Sequence, residues 1–384
     1  MAWSGLMPQW AIFCRVVDNF GDIGVCWRLA RQLTQEFTFE VTLWVDDLVS
    51  FAKIRAEIDP TASTQSLEGV TVRHWAAHFS DDEVAADVVI EAFACDLPSS
   101  YIEKMKQRLS SPIWLNLEYL SAEEWVEGCH GLPSPVQGLN KYFFFPGFTA
   151  HTGGVLSEAQ QRDARQGWST ANAQQFLTQL CPIGRQFCPN ALTVSLFAYE
   201  PIELKPWLAG LIDGDQSVHL LVPQGRVLAE MDLANLSLRQ CAEGVYQDGA
   251  LTISIFPMLS QDRYDQLLWS CDLNFVRGED SFIRAQLAGK PFIWHIYPQD
   301  DDAHRDKLDA FLLHYLADLP EETTSAVNQM MQVWNHGGDA GSAWQILLRH
   351  RAELDIHADV WRKKLLSHGD LATNLVRFVN SKVK

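Results

Sequence analysis

The chain has 384 residues, more than one ordinary hydrophobic core sustains and about what two domains require. Apolar residues make up 47% and charged residues 20%, a balance that excludes a disordered chain. Thirty basic against 48 acidic residues leave a net charge of −18. That argues against broad binding to nucleic acid or an anionic membrane, and still allows a phosphorylated small molecule in a local pocket.

The first half alternates apolar runs with helical patterns. Trp10–Val17 reads as a buried strand, and Ile23–Phe37 as a helix with Val25, Leu29 and Leu33 on one face. Strands follow at Phe39–Asp46, Val70–Trp75, Ala86–Phe93 and Pro112–Leu120, with a helix at Tyr101–Leu109, a spacing that suits parallel β-α-β units. Lys141–Phe148 is a further apolar segment, stopped by Pro146 and Gly147. The polar, Gln-rich stretch Ser157–Asn190 reads as a helix-containing linker. A second set of strands is then predicted at Ala191–Tyr199, Ser217–Pro223, Leu251–Met258, Cys271–Val276 and Lys290–Tyr297, and the tail after Asp301 as nearly all helix. Two doubly wound α/β halves with a helical tail are the simplest architecture.

Other classes find little support. The eight cysteines include no C-x-x-C pair, and several lie in apolar runs where a buried thiol is expected. No cluster has zinc-ligand spacing. No basic segment precedes a long apolar core at the start, and no apolar run approaches the length of a membrane span, so neither a signal peptide nor a spanning helix is expected.

In open parallel sheets, ligands gather where the strands end. In the second half, "VRGEDSF" (Val276–Phe282) follows a strand and opens a helix. Asp280 or Ser281 reads as its N-cap, the helix start offers N–H groups to an anion, and Arg277 adds a charged fork for phosphate. Glu279 would repel phosphate but can accept hydrogen bonds from sugar hydroxyls. The competing reading is an ordinary capped helix with a surface ion pair. Phe256 and Tyr199, each at a strand end, are either base-stacking aromatics or core residues. Gln299, Asp302 and His304 lie near a helix start, where a capped surface helix is the simpler reading and a lid or catalytic role the sharper one.

The first-half motif, "VVDNFGDIG" (Val16–Gly24), has neither a G-x-G-x-x-G fingerprint nor a P-loop Lys-Ser pair. Asp22 can cap the following helix. Asp18, directly after a strand, is harder to explain as structure. Two carboxylates four residues apart around one turn can hold a cationic group and accept its proton.

These segments, with "WLNLEYLSAEEW", "FFFPGFTAHTGGV", "LFAYE" and "HRDKLDAFL", resemble the EarP family, bacterial protein-arginine rhamnosyltransferases that modify elongation factor P. The resemblance runs over nearly the whole chain. It implies a GT-B fold: two Rossmann-like domains facing a cleft, with C-terminal helices crossing back to the first domain. The domains would be 1–180, an acceptor domain completed by a C-terminal helix at 362–384, and 181–361, a donor domain. It also implies inverting transfer of rhamnose from dTDP-β-L-rhamnose to an arginine guanidine nitrogen of elongation factor P, activating that factor for rescue of polyproline-stalled ribosomes. No metal or other cofactor, no nucleic acid and no membrane are implied, and the location would be cytoplasmic. By matching positions, Asp22 is the general base, Asp18 its neighbour, and Asn19, Phe20 and Gly21 lie on the acceptor side. Phe256 is the thymine-stacking aromatic. Tyr199, Gln261, Arg277, Glu279, Asp280 and Ser281 contact the donor, with Glu279 also entering the catalytic set. The alternatives are a GT-B transferase with another nucleotide sugar or acceptor, and a non-catalytic regulator that binds elongation factor P.

Overall fold

The computed structural model describes residues 8–383, except Asp18, Asn19, 76–78, 80–82, Pro189, Ile202, 232–237 and 300–301; of 185–187 it describes the backbone alone. The chain divides into two compact units, Met1–Gln160 with Leu365–Lys384, and Gln161–Lys364.

The first unit is built on an eight-stranded sheet. Its strands are β1 (Gln9–Cys14), β2 (Glu40–Val45), β3 (Thr64–Leu67), β4 (Val70–His74), β5 (Val88–Ala92), β6 (Ile113–Leu117), β7 (Pro133–Val136) and β8 (Leu139–Phe144). Their order is β3-β4-β2-β1-β5-β6-β8-β7. All are parallel except β3 and β7, which pair antiparallel at the two edges. The central strands bury both faces, β5 along its full length, which is why they read as largely apolar runs. The edge strands "TQSL" and "PSPV" alternate exposed and half-buried residues. They are short and polar, and Pro135 is tolerated because an edge strand needs fewer ladder donors. Sequence reading therefore misses both.

The helix Gly21–Phe37 is buried along Asp22–Leu33. Leu29 and Leu33 pack in one cluster with Leu371, Leu375 and Val379 of the last helix, Leu371–Lys382. Asp370 caps that last helix through Thr373 N (3.0 Å) and also accepts from Gln32 Nε2 (3.0 Å). Arg28 and Arg31, both buried, meet Glu158 Oε1 at 3.1 and 2.9 Å. Paired charge is the form in which such a helix tolerates arginine inside.

The second unit has a seven-stranded sheet of β9 (Leu192–Leu196), β10 (Val218–Pro223), β11 (Arg239–Ala242), β12 (Val245–Asp248), β13 (Leu251–Phe256), β14 (Leu273–Arg277) and β15 (Phe292–His295). The order is β11-β12-β13-β10-β9-β14-β15. The five expected strands form its parallel body, and β11 and β12 add antiparallel strands at one edge. The stretch expected as a linker is packed structure: Phe176 and Leu177 of the helix Thr170–Leu180 share a cluster with Leu221, Phe256, Leu267 and Cys271. For that reason the units divide after Gln160 and not after residue 180. The returning segment begins at Leu365, three residues later than the expected 362. The tail is helical as expected, from Ala303–Tyr315 to Leu371–Lys382. Among the described residues no helix is long and apolar enough to cross a membrane.

Candidate active site

In the second unit, Arg277 ends β14 and Gly278, at φ +61°, turns the chain into the helix Asp280–Ala288. A positive φ at this turn suits glycine. The Arg277 guanidinium lies 4.4 Å from the Phe197 ring centroid and 4.8 Å from that of Tyr199, and its Nη1 donates to Ala198 O at 3.2 Å. It is thus fixed against two aromatic faces, which attract a cation through their ring quadrupoles. Glu279, and neither Asp280 nor Ser281, occupies the N-cap position, with no side-chain cap bond. Ser281 Oγ instead accepts from Arg277 N (3.2 Å) and donates to Arg277 O. The local sequence made both residues good caps; the tight turn spends the serine on the arginine's backbone. Gln261 opens the neighbouring helix Gln261–Ser270 and donates from Nε2 to Asp280 Oδ2 at 3.3 Å. A buried bidentate pair, Arg284 with Asp265 at 2.9 and 2.8 Å, joins the two helices.

Direct contacts therefore link Tyr199 and Ser281 to Arg277, and Gln261 to Asp280, and the turn 277–281, with Glu279 in it, joins the two sets. Phe256 differs. It ends β13, but its ring is 2% exposed within the cluster of Phe176, Leu177 and Leu221. As it stands the ring is a core residue, and a nucleobase would reach it only after it is uncovered. His304 lies in the first turn of the helix Ala303–Tyr315, with Asp302 at its N-cap position.

In the first unit, Asp22 does not cap its helix; Phe20 holds that position and Asp22 is the second helical residue. Its carboxylate, 2% exposed, accepts from Val17 N at 2.8 Å and from the Tyr119 hydroxyl at 3.1 Å. Negative charge suits a helix N-terminus. Phe20 and Gly21, half-buried, flank it; Asp18 and Asn19 lie outside the described residues. Cys14, beneath this turn, is pushed well above the usual thiol range by its hydrogen bond with Cys26 and by burial, so it supplies no thiolate.

Tyr119 is the residue that local reading missed. It follows β6 and stacks on Phe93 (4.4 Å, 15° between planes) in the loop after β5. That loop holds Phe93, Ala94 and Asp96 at φ of +56°, +51° and +55°, a conformation costly for side-chain-bearing residues. It is pinned by Phe93 N to Leu117 O (2.7 Å), Ala94 N to Asn116 Oδ1 (3.1 Å) and Asp96 N to buried Glu91 (3.2 Å). The available signal was position: Tyr119 lies just past the carboxyl end of a parallel strand.

Each unit thus offers one element of a group transfer, a held carboxylate in the first and a fixed cation beside a helix start in the second. Among the described residues no three His, Cys, Asp or Glu side chains converge as a metal-binding group.

The family model for elongation factor P (EF-P) rhamnosyltransferase EarP matches residues 10–380. A protein-arginine rhamnosyltransferase of Pseudomonas putida is 50% identical over 97% of this chain and 99% of its own length. A solved structure described as the basis for EarP-mediated arginine glycosylation of translation elongation factor EF-P is 38% identical. It has a TM-score of 0.67 and covers 98% of this chain and 100% of that one. A glycotransferase of kitacinnamycin, 11% identical with a TM-score of 0.54 over 97% of this chain and 99% of that one, shares the fold alone. With the two parallel-rich sheets, these likenesses set the chain in the GT-B class. The chain belongs to the EarP family of elongation factor P rhamnosyltransferases, and it is a glycosyltransferase.

Proposed function

We propose that the protein moves L-rhamnose from dTDP-β-L-rhamnose to a guanidine nitrogen of an arginine on elongation factor P, with inversion at the anomeric carbon. The single observation that carries the acceptor half is the Asp22 carboxylate, buried and aimed by Val17 N–H and the Tyr119 hydroxyl. A guanidinium is protonated at neutral pH and its lone pairs are delocalised, so it is a poor nucleophile. A fixed carboxylate attracts it, localises its charge and takes the proton as the bond forms.

In this mechanism the guanidine nitrogen attacks C1 of the sugar from the face opposite the diphosphate. The C1–N bond forms, the C1–O bond breaks, and its electron pair leaves with dTDP. The nitrogen's proton passes to Asp22. Arg277 and the start of the helix Asp280–Ala288 stabilise the charge that develops on the leaving diphosphate. Asp18 is assigned to orient the guanidine, and Glu279 to accept from sugar hydroxyls. No metal is required, because the side chains and helix start supply the positive field. The modified factor would then serve polyproline-stalled ribosomes, which places the reaction in the cytoplasm.

Intact mass of elongation factor P, after incubation with the protein and dTDP-rhamnose, should rise by one deoxyhexose, with the product α-linked. No adduct, or a β-linked one, would refute the reading. Transfer should persist in excess chelator. A loss restored by added divalent metal would overturn the metal-free mechanism.

A further inference from the structure

Glu91, near the carboxyl end of β5, is buried inside the first sheet at 1% exposure. Its register partners are Phe13 on β1 and Asn116 on β6. A carboxylate in such a place must be satisfied by donors, and three reach it from three elements. Trp114 Nε1 on β6 donates to Oε2 at 3.0 Å, Lys141 Nζ on β8 lies 3.3 Å from the same oxygen, and Asp96 N in the loop after β5 donates to Oε1 at 3.2 Å. Lys141 also sits over the Trp114 ring, 5.2 Å from its centroid. Apolar residues of similar volume often replace such a pair at no loss of stability, so stability alone does not account for Glu91.

Two of the donors belong to the sheet and the third to the loop Phe93–Asp96, so Glu91 ties that loop to the sheet. Phe93, Ala94 and Asp96 hold left-handed conformations there, and such strain persists only where the surroundings over-determine it. Besides the bonds already described, Cys95 N donates to Ala92 O (3.2 Å) and the Cys95 thiol to Phe13 O (3.4 Å). What the loop presents is Phe93, half-buried, with its ring stacked on Tyr119. Tyr119 in turn places its hydroxyl on Asp22. Strands β1, β5 and β6 are neighbours in the sheet, so the segments that follow them bring Asp22, Phe93 and Tyr119 to one edge.

We propose that Glu91 is a positioning residue for the acceptor half of the reaction. Its carboxylate, fixed by Trp114 and Lys141, locks the loop Phe93–Asp96; the loop holds Phe93 as a platform for Tyr119; and the Tyr119 hydroxyl aims the Asp22 carboxylate. Being buried, Glu91 acts through the loop and not on the substrate. The proposal rests on the reading of Asp22 as the base and adds the chain of contacts behind it.

Steady-state transfer to elongation factor P and calorimetric donor affinity test it in Glu91→Gln, Phe93→Leu, Phe93→Tyr, Tyr119→Phe, and Glu91→Gln combined with Tyr119→Phe. The amide keeps the shape of Glu91 but turns one acceptor oxygen into a donor facing another N–H. In Glu91→Gln, kcat should fall about three- to tenfold while KM and affinity for dTDP-rhamnose stay within about twofold. Phe93→Leu should behave alike, and Phe93→Tyr, which keeps the stacked ring, should recover most of that loss. In the Tyr119→Phe background, Glu91→Gln should cost less than about twofold more, because the hydroxyl it positions is gone. Fully multiplicative losses, weakened donor binding, or an unchanged kcat in Glu91→Gln would each overturn the proposal. If Glu91→Gln does not fold, Glu91→Gln with Lys141→Met, which also removes the stranded ammonium, takes its place throughout. The placement of Tyr119 is read apart from activity, with that residue carried as 3-fluorotyrosine: Glu91→Gln should shift its fluorine resonance, and an unmoved resonance would overturn the proposal. If Asp22→Asn keeps its transfer rate, the base reading has failed, and the resonance then judges the positioning by itself.

Discussion

The two units start from one plan, a parallel sheet whose strands end at a common edge, and finish it with opposite charge. After β1 comes a carboxylate, Asp22, held in the first turn of a helix by Val17 N and Tyr119. After β14 comes a guanidinium, Arg277, spread over Phe197 and Tyr199 beside a helix start. Both sites use a helix N-terminus. In the first unit the protein's own anion occupies that end, which leaves the turn suited to a cation. In the second the end carries Glu279 and Asp280 and stands next to a protein cation, Arg277, the group there that suits an anion. A strand-to-helix turn therefore does not by itself specify phosphate. The side chain placed in it decides the sign of the ligand.

This contrast can be broken first at its acidic end. Asp22→Asn keeps the shape and the acceptor oxygen but removes the base, and transfer should fall by about 10²–10⁴-fold; near-normal turnover would take Asp22 out of the role. Next is the frame of the cationic end. Arg284→Ala withdraws the bidentate partner of buried Asp265 and should cost about 3–5 kcal/mol of stability, read as a lower denaturant midpoint. An unchanged midpoint would mean that the pair does not hold the two helices.

Acid should separate the buried His295, at the end of β15, from the carboxylates nearer the surface. His295 titrates near 4 in the folded protein, against about 6.5 in an unfolded chain. Between those values the unfolded state binds the extra proton, so stability is fully present above pH of about 6.5 and declines as pH falls toward 4. His130, His336 and His357 are lowered in the same direction by burial. The carboxylates Asp47, Asp339 and Asp359 lie below the usual range, mainly through side-chain hydrogen bonds, and they give up their share at lower pH still. In His295→Phe the decline between pH 6.5 and 4 should be visibly shallower in thermal melts; an identical profile would contradict the burial of a neutral ring. The smallest effect belongs to Tyr119→Phe. Removing one hydrogen bond to Asp22 should lower kcat up to about tenfold with donor affinity unchanged.

The parallel bodies of both sheets were legible because strands buried on two faces are predominantly apolar, as in "VVIEA" and "LTISIF". The edges β3, β7, β11 and β12 were not, since half-exposed antiparallel strands carry ordinary polar sequence. At the candidate site the residue types were readable and their partners were not. The hydroxyl on Asp22 comes from 97 residues away, and the Arg277 side chain donates to a carbonyl 79 residues away. Local capping rules also failed at both helix starts, where backbone N–H groups four and five residues back in the turn take Ser281 and Asp22 instead. Phe256 looked like a ligand aromatic from its place at a strand end, yet the helix Thr170–Leu180 covers it, and that helix sits in a stretch whose polar composition suggested a linker.

The central claim is the division of labour between the two charges, and one paired measurement tests it most directly. Calorimetric affinity for dTDP-rhamnose and transfer to elongation factor P are followed side by side in Asp22→Asn and Arg277→Ala. The account predicts that Asp22→Asn binds donor like the wild type and fails to transfer, while Arg277→Ala binds both dTDP and dTDP-rhamnose about tenfold more weakly or worse. Donor binding lost in Asp22→Asn, or intact in Arg277→Ala, would contradict it.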